Sequence, residues 1–224
     1  NKCYSKIKSY DFDVVIALGG GSALDTGKVV ALLCGGRLKE DWLEKQLRNP
    51  GERLKNIEAK PIISIPTTSG TGSEVTPWAT LWDEKKGVKY SISDKSLFPE
   101  WALLDPELTY SLPYEATLFS AMDALSHSME AIWNKNANPV SDTFAEEAIA
   151  ILVPILADTF RKKYTLADVR EKLQLASLLA GLSFSNTKTA IAHSISYPLT
   201  AQLNIPHGLA CSFTLPEIMK INYA

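Results

Sequence analysis

The residues of this sequence best suited to chemistry are its three histidines and one aspartate. His127 follows Asp123 by four residues within a helical pattern, so both side chains should lie on one face of a helix, about one turn apart. His193 stands in a later helical region, and His207 comes 14 residues after it in a stretch typical of a loop. One carboxylate and three imidazoles suit a divalent metal such as iron, zinc or cobalt. The alternative is three unrelated core or surface histidines.

Two polar, glycine-containing loops each follow a short apolar run. Residues 19–22, Gly-Gly-Gly-Ser, open a helical segment, where free backbone N–H groups and the helix dipole favour a phosphate. This loop matches neither GxGxxG nor the P-loop, and a tight strand-to-helix turn is the alternative. Residues 66–74, Pro-Thr-Thr-Ser-Gly-Thr-Gly-Ser-Glu, suit a pyrophosphate or nicotinamide contact at the carboxyl end of a parallel strand. A flexible loop is the alternative there.

The elements that must position these residues differ between the two halves of the chain. Apolar runs at residues 14–18, 61–66 and 101–104 predict buried parallel strands, and residues 25–34 predict a helix with Ser22 as its N-cap. Helical patterns then occupy residues 121–133, 141–160, 167–182 and 187–199, the last ending near Pro198. The sequence therefore predicts an α/β domain over residues 1–112 and an all-helical domain over residues 113–224.

Composition excludes several classes of protein. The 224 residues are 46% hydrophobic and carry a net charge of −2, which argues against disorder and against a nucleic-acid partner. The longest clean apolar run has ten residues, too few to cross a bilayer. Cys3, Cys34 and Cys211 are widely spaced, which predicts reduced thiols and a cytoplasmic protein. We see no secretory signal, and because the chain begins with Asn1, we expect its natural N-terminus to lie elsewhere.

In combination, four motifs resemble the iron-containing (group III) alcohol dehydrogenases over residues 13–216. They are Gly-Gly-Gly-Ser-x-x-Asp-x-x-Lys, Pro-Thr-Thr-Ser-Gly-Thr-Gly-Ser-Glu-Val-Thr, Asp-Ala-Leu-Ser-His, and the pair His193 and His207-Gly. The resemblance implies a Rossmann-like NAD(P)-binding domain, an all-α metal-binding domain and an active site in the cleft between them. It implies Fe²⁺, with Zn²⁺ as the alternative, held by Asp123, His127, His193 and His207. The dinucleotide contacts that it implies are Gly20, Gly21, Ser22, Asp25, Thr67, Thr68, Ser69, Gly70, Thr71 and Lys89.

The chain departs from the family pattern in length and at one residue. Family members are longer, so we expect the front strands and the C-terminal part of the fold to lie outside this chain, and the residue that selects NAD or NADP with them. Many members also have a histidine four residues after the third ligand, where this chain has Tyr197. No catalytic side chain is assigned, and Tyr197 is the candidate for a proton relay.

The local run at residues 185–190, with residues 197–200, resembles the phosphonoacetaldehyde reductase branch of the family. In that branch Lys188 could face an anionic substrate, and a solvated helix lysine is the alternative. The resemblance implies a metal-dependent oxidoreductase that transfers a hydride between NAD(P)H and a small aldehyde or primary alcohol. An apolar surface on the helical domain favours a homo-oligomer, and the charge and the short apolar runs predict no nucleic-acid or membrane partner. The alternatives are a zinc glycerol-dehydrogenase-like enzyme, a metal-free maleylacetate-reductase-like enzyme and a non-catalytic nucleotide-binding fragment.

Overall fold

The structure, a computed structural model, describes residues 6–7, 9–36, 58–83, 88–159 and 167–223, without the side chains at 82, 83, 88, 89, 159 and 168. The chain forms two compact units. The first contains Asn1–Pro66 and Ser73–Leu103, and the second contains Thr67–Gly72 and Leu104–Ala224. This division falls upstream of the 112–113 boundary that the sequence predicts, because residues 105 and 112 are tied by their carbonyls to Gln174 and Arg170 of the helical unit.

The first unit is built on a parallel sheet followed by a hairpin. Among the described residues, the sheet has the order β1 (Val15–Gly19), β2 (Ile62–Pro66) and β5 (Trp101–Ala102), and helix α1 (Gly21–Gly35) follows β1. Helix and sheet pack closely, since a Cβ on Gly27 would lie 2.6 Å from the Cβ of Ala17. The predicted α/β character of this half is confirmed.

Two details of this unit differ from the sequence prediction. Helix α1 starts at Gly21 with Gly20 as N-cap, so the assignment of Ser22 to that position is wrong. Strand β1 is buried on only one face, where Ala17 is 5% exposed, whereas Ile16 and Leu18 are 61% and 57% exposed. Within this chain, the residues that pack on β1 therefore cover the face that carries Ala17.

The antiparallel hairpin β3 (Trp78–Asp83) and β4 (Val88–Ser93) has no counterpart in the sequence prediction. Its inner residues Ala79 and Ile92 pack with Val29 and Leu32 of α1 and with Leu97. Short 3-10 turns at Ser73–Val75 and Lys95–Leu97 flank the hairpin. The hairpin therefore covers α1 and completes the apolar core of the first unit.

The second unit is all-helical, as the sequence predicts. After a 3-10 turn at Pro106–Thr109, the helices are α2 (Tyr114–Ile132), α3 (Pro139–Thr159), α4 (Ala167–Thr187), α5 (Ile191–Leu203), α6 (His207–Ser212) and α7 (Leu215–Asn222). Helices α2, α3 and α4 share a core of small and branched residues, among them Ala124, Ala148, Leu152 and Ala180. Small side chains at these contacts let the helix backbones approach closely. No helix in the described ranges is long and apolar enough to span a bilayer.

Two helix boundaries in this unit correct the prediction. Helix α5 continues through Pro198 and ends at Leu203, where Asn204 adopts a left-handed conformation with φ 56°. A left-handed residue at this position is a common helix stop, whereas an internal proline removes one hydrogen bond without ending the helix. His207 does not lie in a loop but is the first residue of α6.

Candidate metal centre

The four predicted metal ligands come together in the helical unit. The Oδ1 atom of Asp123 lies 3.5 Å from Nε2 of His193 and 3.9 Å from Nε2 of both His127 and His207. Asp123 and His127 are supplied by one face of α2, His193 by α5 and His207 by the start of α6. Three imidazole nitrogens therefore point at one carboxylate oxygen, although the residues are separated by up to 84 positions in the sequence.

The donor atoms of this cluster fit a divalent cation. Asp123 Oδ1 and His193 Nε2 are fully buried, and neither has a hydrogen-bond partner among the residues that the structure describes. Buried polar atoms without partners are rare because each costs about 1–3 kcal/mol. A cation with affinity for oxygen and nitrogen donors would satisfy both atoms at once. The donor set of the cluster thus fits a divalent metal ion.

The ionisation of the cluster differs from one ligand to the next. Burial opposes the charge of Asp123, but His127, His193 and His207 outweigh it and lower the pKa of the carboxyl. Burial lowers the pKa of His127 to about 3, so this imidazole is neutral at pH 7. Burial also opposes a charge on His193, but contacts with Asp123, Cys211 and Glu130 raise its pKa well above the ordinary value. Metal binding would displace that proton, because a ligating imidazole must be neutral.

The glycine-rich loop at Thr67–Gly72 positions His127. The Nδ1 atom of His127 lies 3.3 Å from the carbonyl oxygen of Gly70, and its ring stacks on Phe184 with centroids 4.0 Å apart. A Cβ on Gly70 would lie 2.5 Å from the carbonyl oxygen of Ser120, and Gly72, at φ 58°, would place one 2.6 Å from Cα of Gly181. The loop therefore fits between α2 and α4 only with glycines, and an Nδ1–H donated to Gly70 leaves Nε2 free for the metal.

A buried carboxylate that the sequence analysis missed holds His193. Glu130 is fully buried on α2, with Oε2 2.5 Å from Nδ1 of His193. Its oxygens also accept hydrogen bonds from the backbone nitrogens of Ala190 and Ala192, at 2.9 and 2.5 Å. Burial opposes its charge, but the contact with His193 outweighs it and lowers the pKa of Glu130. The available signal was its position seven residues after Asp123, two turns along the same helix face.

Cys211 is a second residue that lies beside the cluster and that the sequence analysis did not connect with it. Its thiol is fully buried on α6, with Sγ 3.6 Å from Nε2 of His207. Burial opposes the thiolate, but His193 and His207 outweigh it and lower the pKa of the thiol. Donor atoms of Asp123, His193, His207 and Cys211 all lie within 4.8 Å of one another. The signal was the spacing of four residues from His207, as in the Asp123–His127 pair.

Gly208 and Tyr197 are neighbours of His207. A Cβ on Gly208 would lie 1.8 Å from the carbonyl oxygen of Phe119 and 3.1 Å from the backbone nitrogen of Asp123, so α6 approaches α2 through a glycine. The ring of Tyr197 stacks on that of His207, with centroids 6.3 Å apart and planes 12° from parallel. The side chain of His207 is 32% exposed, whereas those of Asp123 and His193 are 7% and 3% exposed. His207 thus marks the side of the centre that faces solvent.

The predicted phosphate loop lies in the first unit. Gly19 has φ 144°, and within α1, which is described along its whole length, neither a side-chain cap nor an acidic first-turn residue occupies the N-terminus. This leaves the first-turn N–H groups, at Gly21 and Ser22, able to receive an anion. Asp25 is engaged inside the protein, since its two oxygens accept hydrogen bonds from Ser73 Oγ at 2.6 Å and from the backbone of Thr80 at 2.7 Å.

The remaining predicted dinucleotide contacts differ in how far they are buried. Ser69 and Gly70 are buried, whereas Thr67, Thr68 and Thr71 are partly exposed. The backbone of Lys89 pairs with Trp82 in the hairpin, and its side chain lies outside the described residues. The loop Thr67–Gly72 therefore has a packing role beside His127, and three of its threonines are partly exposed.

Lys188 lies in the link between α4 and α5, not in a helix. Among the described residues, it and Asn204 are the non-glycine residues with positive φ, Lys188 at 69°. The carbonyl of Lys188 accepts a hydrogen bond from Asn134 at 3.2 Å, and that of Thr187 accepts one from Asn136 at 3.1 Å. The link is therefore held in an uncommon backbone conformation with an exposed lysine at its tip.

Family models match nearly the whole chain. The model described as iron-containing alcohol dehydrogenase matches residues 1–106, and the model for the C-terminal part of the Fe-containing alcohol dehydrogenase family matches residues 117–224. The chain belongs to the iron-containing alcohol dehydrogenase family. The resemblance inferred from the sequence motifs is thereby confirmed.

Individual members of the iron-containing alcohol dehydrogenase family show the same similarity. The chain is 37% identical over 218 residues to the 1-propanol dehydrogenase PduQ of Citrobacter freundii, and 36% identical over 221 residues to a sulfoacetaldehyde reductase of Bilophila wadsworthia. These matches cover 97% and 99% of this chain but 54% and 55% of the relatives. The chain therefore spans about half the length of these curated relatives.

Solved structures of the family confirm the fold. A crystal structure of sulfoacetaldehyde reductase from Bifidobacterium kashiwanohense in complex with NAD⁺ matches with a TM-score of 0.89 and 38% identity, over 99% of this chain and 57% of that one. A 1,3-propanediol oxidoreductase structure matches with a TM-score of 0.87 and 31% identity, over 98% of this chain and 56% of that one. The Rossmann-like and all-α architecture predicted from the sequence is confirmed.

Proposed function

We propose that this chain forms part of a metal-dependent oxidoreductase that transfers a hydride between NAD(P)H and a small aldehyde or primary alcohol. The observation that carries the proposal is the convergence of three histidine Nε2 atoms on Asp123 Oδ1. Two of these four atoms, Asp123 Oδ1 and His193 Nε2, are buried and have no hydrogen-bond partner in the described part of the chain. Family membership and the NAD⁺ complex of one similar structure support the redox cofactor.

In this proposal Asp123, His127, His193 and His207 hold Fe²⁺, with Zn²⁺ as the alternative metal. The metal, when bound, supplies Lewis-acid stabilisation of negative charge on the substrate oxygen. The chain contributes the orientation of the ligands, because Gly70 and Glu130 each engage the Nδ1 atom of a ligand histidine. The solvent-facing side at His207 is where the substrate enters.

Tyr197 is the candidate for handling the proton of the reaction. Its ring lies against His207, the exposed ligand, where many family members have a histidine. A phenol can hold or release a proton at Oη, so Tyr197 would serve the substrate oxygen at the mouth of the site.

The first unit would bind the dinucleotide. The uncapped N-terminus of α1 at Gly20, Gly21 and Ser22 suits the pyrophosphate, because its N–H groups and dipole favour negative charge. The other residues proposed to contact the dinucleotide are Asp25, Thr67, Thr68, Ser69, Gly70, Thr71 and Lys89. Asp25 would act by holding α1 to Ser73 and Thr80, since both of its oxygens are engaged there.

For the substrate we propose a short aldehyde that carries an anionic group, a sulfonate or a phosphonate. Two sulfoacetaldehyde reductases among the relatives support this class, and the exposed Lys188 supplies a cation five residues before His193. The phosphonate analogue follows from the branch resemblance. Neutral aldehydes are the competing class, because a 1-propanol dehydrogenase is equally similar.

We also propose a cytoplasmic homo-oligomer that acts on small molecules and binds neither nucleic acid nor membranes. The net charge of −2 supports the absence of a nucleic-acid partner, and the scattered cysteines support the cytoplasm. Light scattering on the purified protein would measure the oligomeric state.

The test is anaerobic purification of the protein containing this chain, followed by elemental analysis and by NADH and NADPH oxidation with sulfoacetaldehyde, phosphonoacetaldehyde and propionaldehyde. Stoichiometric iron and turnover of the anionic aldehydes would support both proposals, and preference for propionaldehyde would remove the substrate class. Asp123→Ala and His207→Ala should abolish metal binding, whereas the exposed Glu147→Ala should not. Turnover without metal, or nucleotide binding without turnover on any aldehyde, would overturn the proposed function.

A further inference from the structure

We propose that Cys211 supplies a thiolate ligand to the metal, so that the centre of this chain combines oxygen, nitrogen and sulfur donors. The inference rests on the proposed metal site and adds to it a ligand that the four family motifs do not include. Binding of the metal would break the S–H bond of Cys211 and release its proton to solvent, with no change in the oxidation state of either partner.

The distances around Cys211 agree with coordination. Metal–sulfur bonds are about 2.3 Å and metal–nitrogen bonds about 2.0 Å, which places sulfur and nitrogen ligands about 3.5 Å apart on a tetrahedron. The Sγ atom of Cys211 is 3.6 Å from Nε2 and 3.8 Å from Nδ1 of His207, and Oδ1 of Asp123 is 3.5 Å from Nε2 of His193. No two donor atoms of these four residues are more than 4.8 Å apart. Four donors of three chemical types thus lie near enough for one metal ion to draw them together.

The setting of Cys211 also indicates a ligand and not a passive core residue. Its side chain is fully buried, and the donors that it joins include Asp123 Oδ1 and His193 Nε2, which have no hydrogen-bond partner within the described ranges. The spacing of four residues puts His207 and Cys211 on the same face of α6, and Gly208 seats that helix against α2. A metal would satisfy all of these groups together.

A sulfur ligand has a consequence for metal choice. Thiolates bind borderline metals such as zinc and cobalt well, whereas carboxylate and imidazole sites without sulfur suit Fe²⁺. His127 is not among the four donors that include Cys211, although its Nε2 lies 3.9 Å from Asp123 Oδ1. The chain therefore offers two overlapping ligand sets, and Cys211 shifts the preference of the site toward zinc.

Cobalt spectroscopy tests the proposal with a readout independent of activity. Metal-free protein is titrated anaerobically with Co²⁺, whose visible d–d absorption reports binding in a protein site and whose near-ultraviolet thiolate-to-cobalt charge-transfer band reports a sulfur ligand. Wild type should show both. Cys211→Ser should keep the visible bands and lose the charge-transfer band, and Cys34→Ser, which changes a cysteine of the first unit, should keep both.

The outcomes separate this inference from the proposed function. Visible cobalt bands without a charge-transfer band in wild type, or a band that survives Cys211→Ser, would overturn thiolate ligation and leave the metal centre intact. Absence of cobalt absorption at the site would overturn both. The wild-type spectrum alone can refute the inference, so the test does not depend on correct folding of a variant. Chelator competition should in addition show zinc affinity reduced at least about tenfold in Cys211→Ser, with a smaller change for Fe²⁺.

Discussion

Replacing Glu130 with glutamine changes one carboxylate oxygen to an amide nitrogen. The side chain is fully buried, and the groups around its two oxygens are hydrogen-bond donors. In the wild type, Oε1 accepts from the backbone nitrogens of Ala192 and His193, while Oε2 accepts from the backbone nitrogen of Ala190 and contacts Nδ1 of His193. The amide nitrogen of glutamine accepts no hydrogen bond. In either orientation the Glu130→Gln side chain therefore points an N–H at a backbone N–H.

The two orientations of the new amide have different effects on His193. If the nitrogen replaces Oε2, Nδ1 of His193 has to accept, which moves the ring proton to Nε2 and blocks the metal-facing atom. If it replaces Oε1, two backbone donors at the start of α5 lose their acceptor. One lost hydrogen bond to a charged group costs about 1.5–3 kcal/mol, and each donor left unsatisfied costs about 1–3 kcal/mol. We expect a loss of about 3 kcal/mol in unfolding free energy and a metal affinity reduced about 10–100-fold.

Two measurements check this prediction. Chelator competition gives the metal affinity, and urea unfolding of the metal-free protein gives the stability. Glu147→Gln, on the exposed side of α3, is the matched control and should leave both unchanged. If Glu130→Gln binds metal within about twofold of wild type, the carboxylate does not orient His193. If stability is also unchanged, the hydrogen bonds of Glu130 to the start of α5 contribute nothing measurable.

Three further predictions concern a glycine and two lysines. Gly208→Ala should abolish metal binding, because its Cβ would lie 1.8 Å from a backbone carbonyl oxygen of α2, whereas Leu209→Ala should retain it; elemental analysis distinguishes them. Burial lowers the pKa of Lys28 to about 8, below its unfolded value of 10.5, so unfolding takes up a proton between these pH values. Wild-type stability against urea should therefore gain on the order of 3 kcal/mol between pH 8 and 10.5, and equal slopes in Lys28→Met would contradict this. Lys188→Ala should raise the KM for sulfoacetaldehyde about fivefold and leave that for propionaldehyde unchanged, as expected for an ionic contact of about 1 kcal/mol. Lys135→Ala is its control, and an equal effect of both variants would refute a specific role.

The parts of the fold that depend on local patterns could be predicted from the sequence. Hydrophobic periodicity located the strands β1 and β2 and the helices of the second unit, because it reports a face that must be buried whatever covers it. Periodicity did not indicate that Pro198 lies inside α5, since a packed helix tolerates one missing hydrogen bond. Nor did it indicate that Ile16 and Leu18 are exposed, because an apolar run contains no information about which neighbours are present.

The candidate site shows the same division between local and tertiary information. The Asp123–His127 pair was predictable because both residues lie on one helix, and scarcity of histidine made His193 and His207 natural partners. The position of Glu130 on the same face of α2 was equally visible, but its function was not. Its partner His193 is 63 residues away, and only the packing of α5 on α2 brings Nδ1 to the carboxylate. Residue type and spacing can thus identify candidate metal ligands. The groups that orient those ligands can be identified only from the fold, because packing decides which distant carboxylates and backbone groups lie beside them.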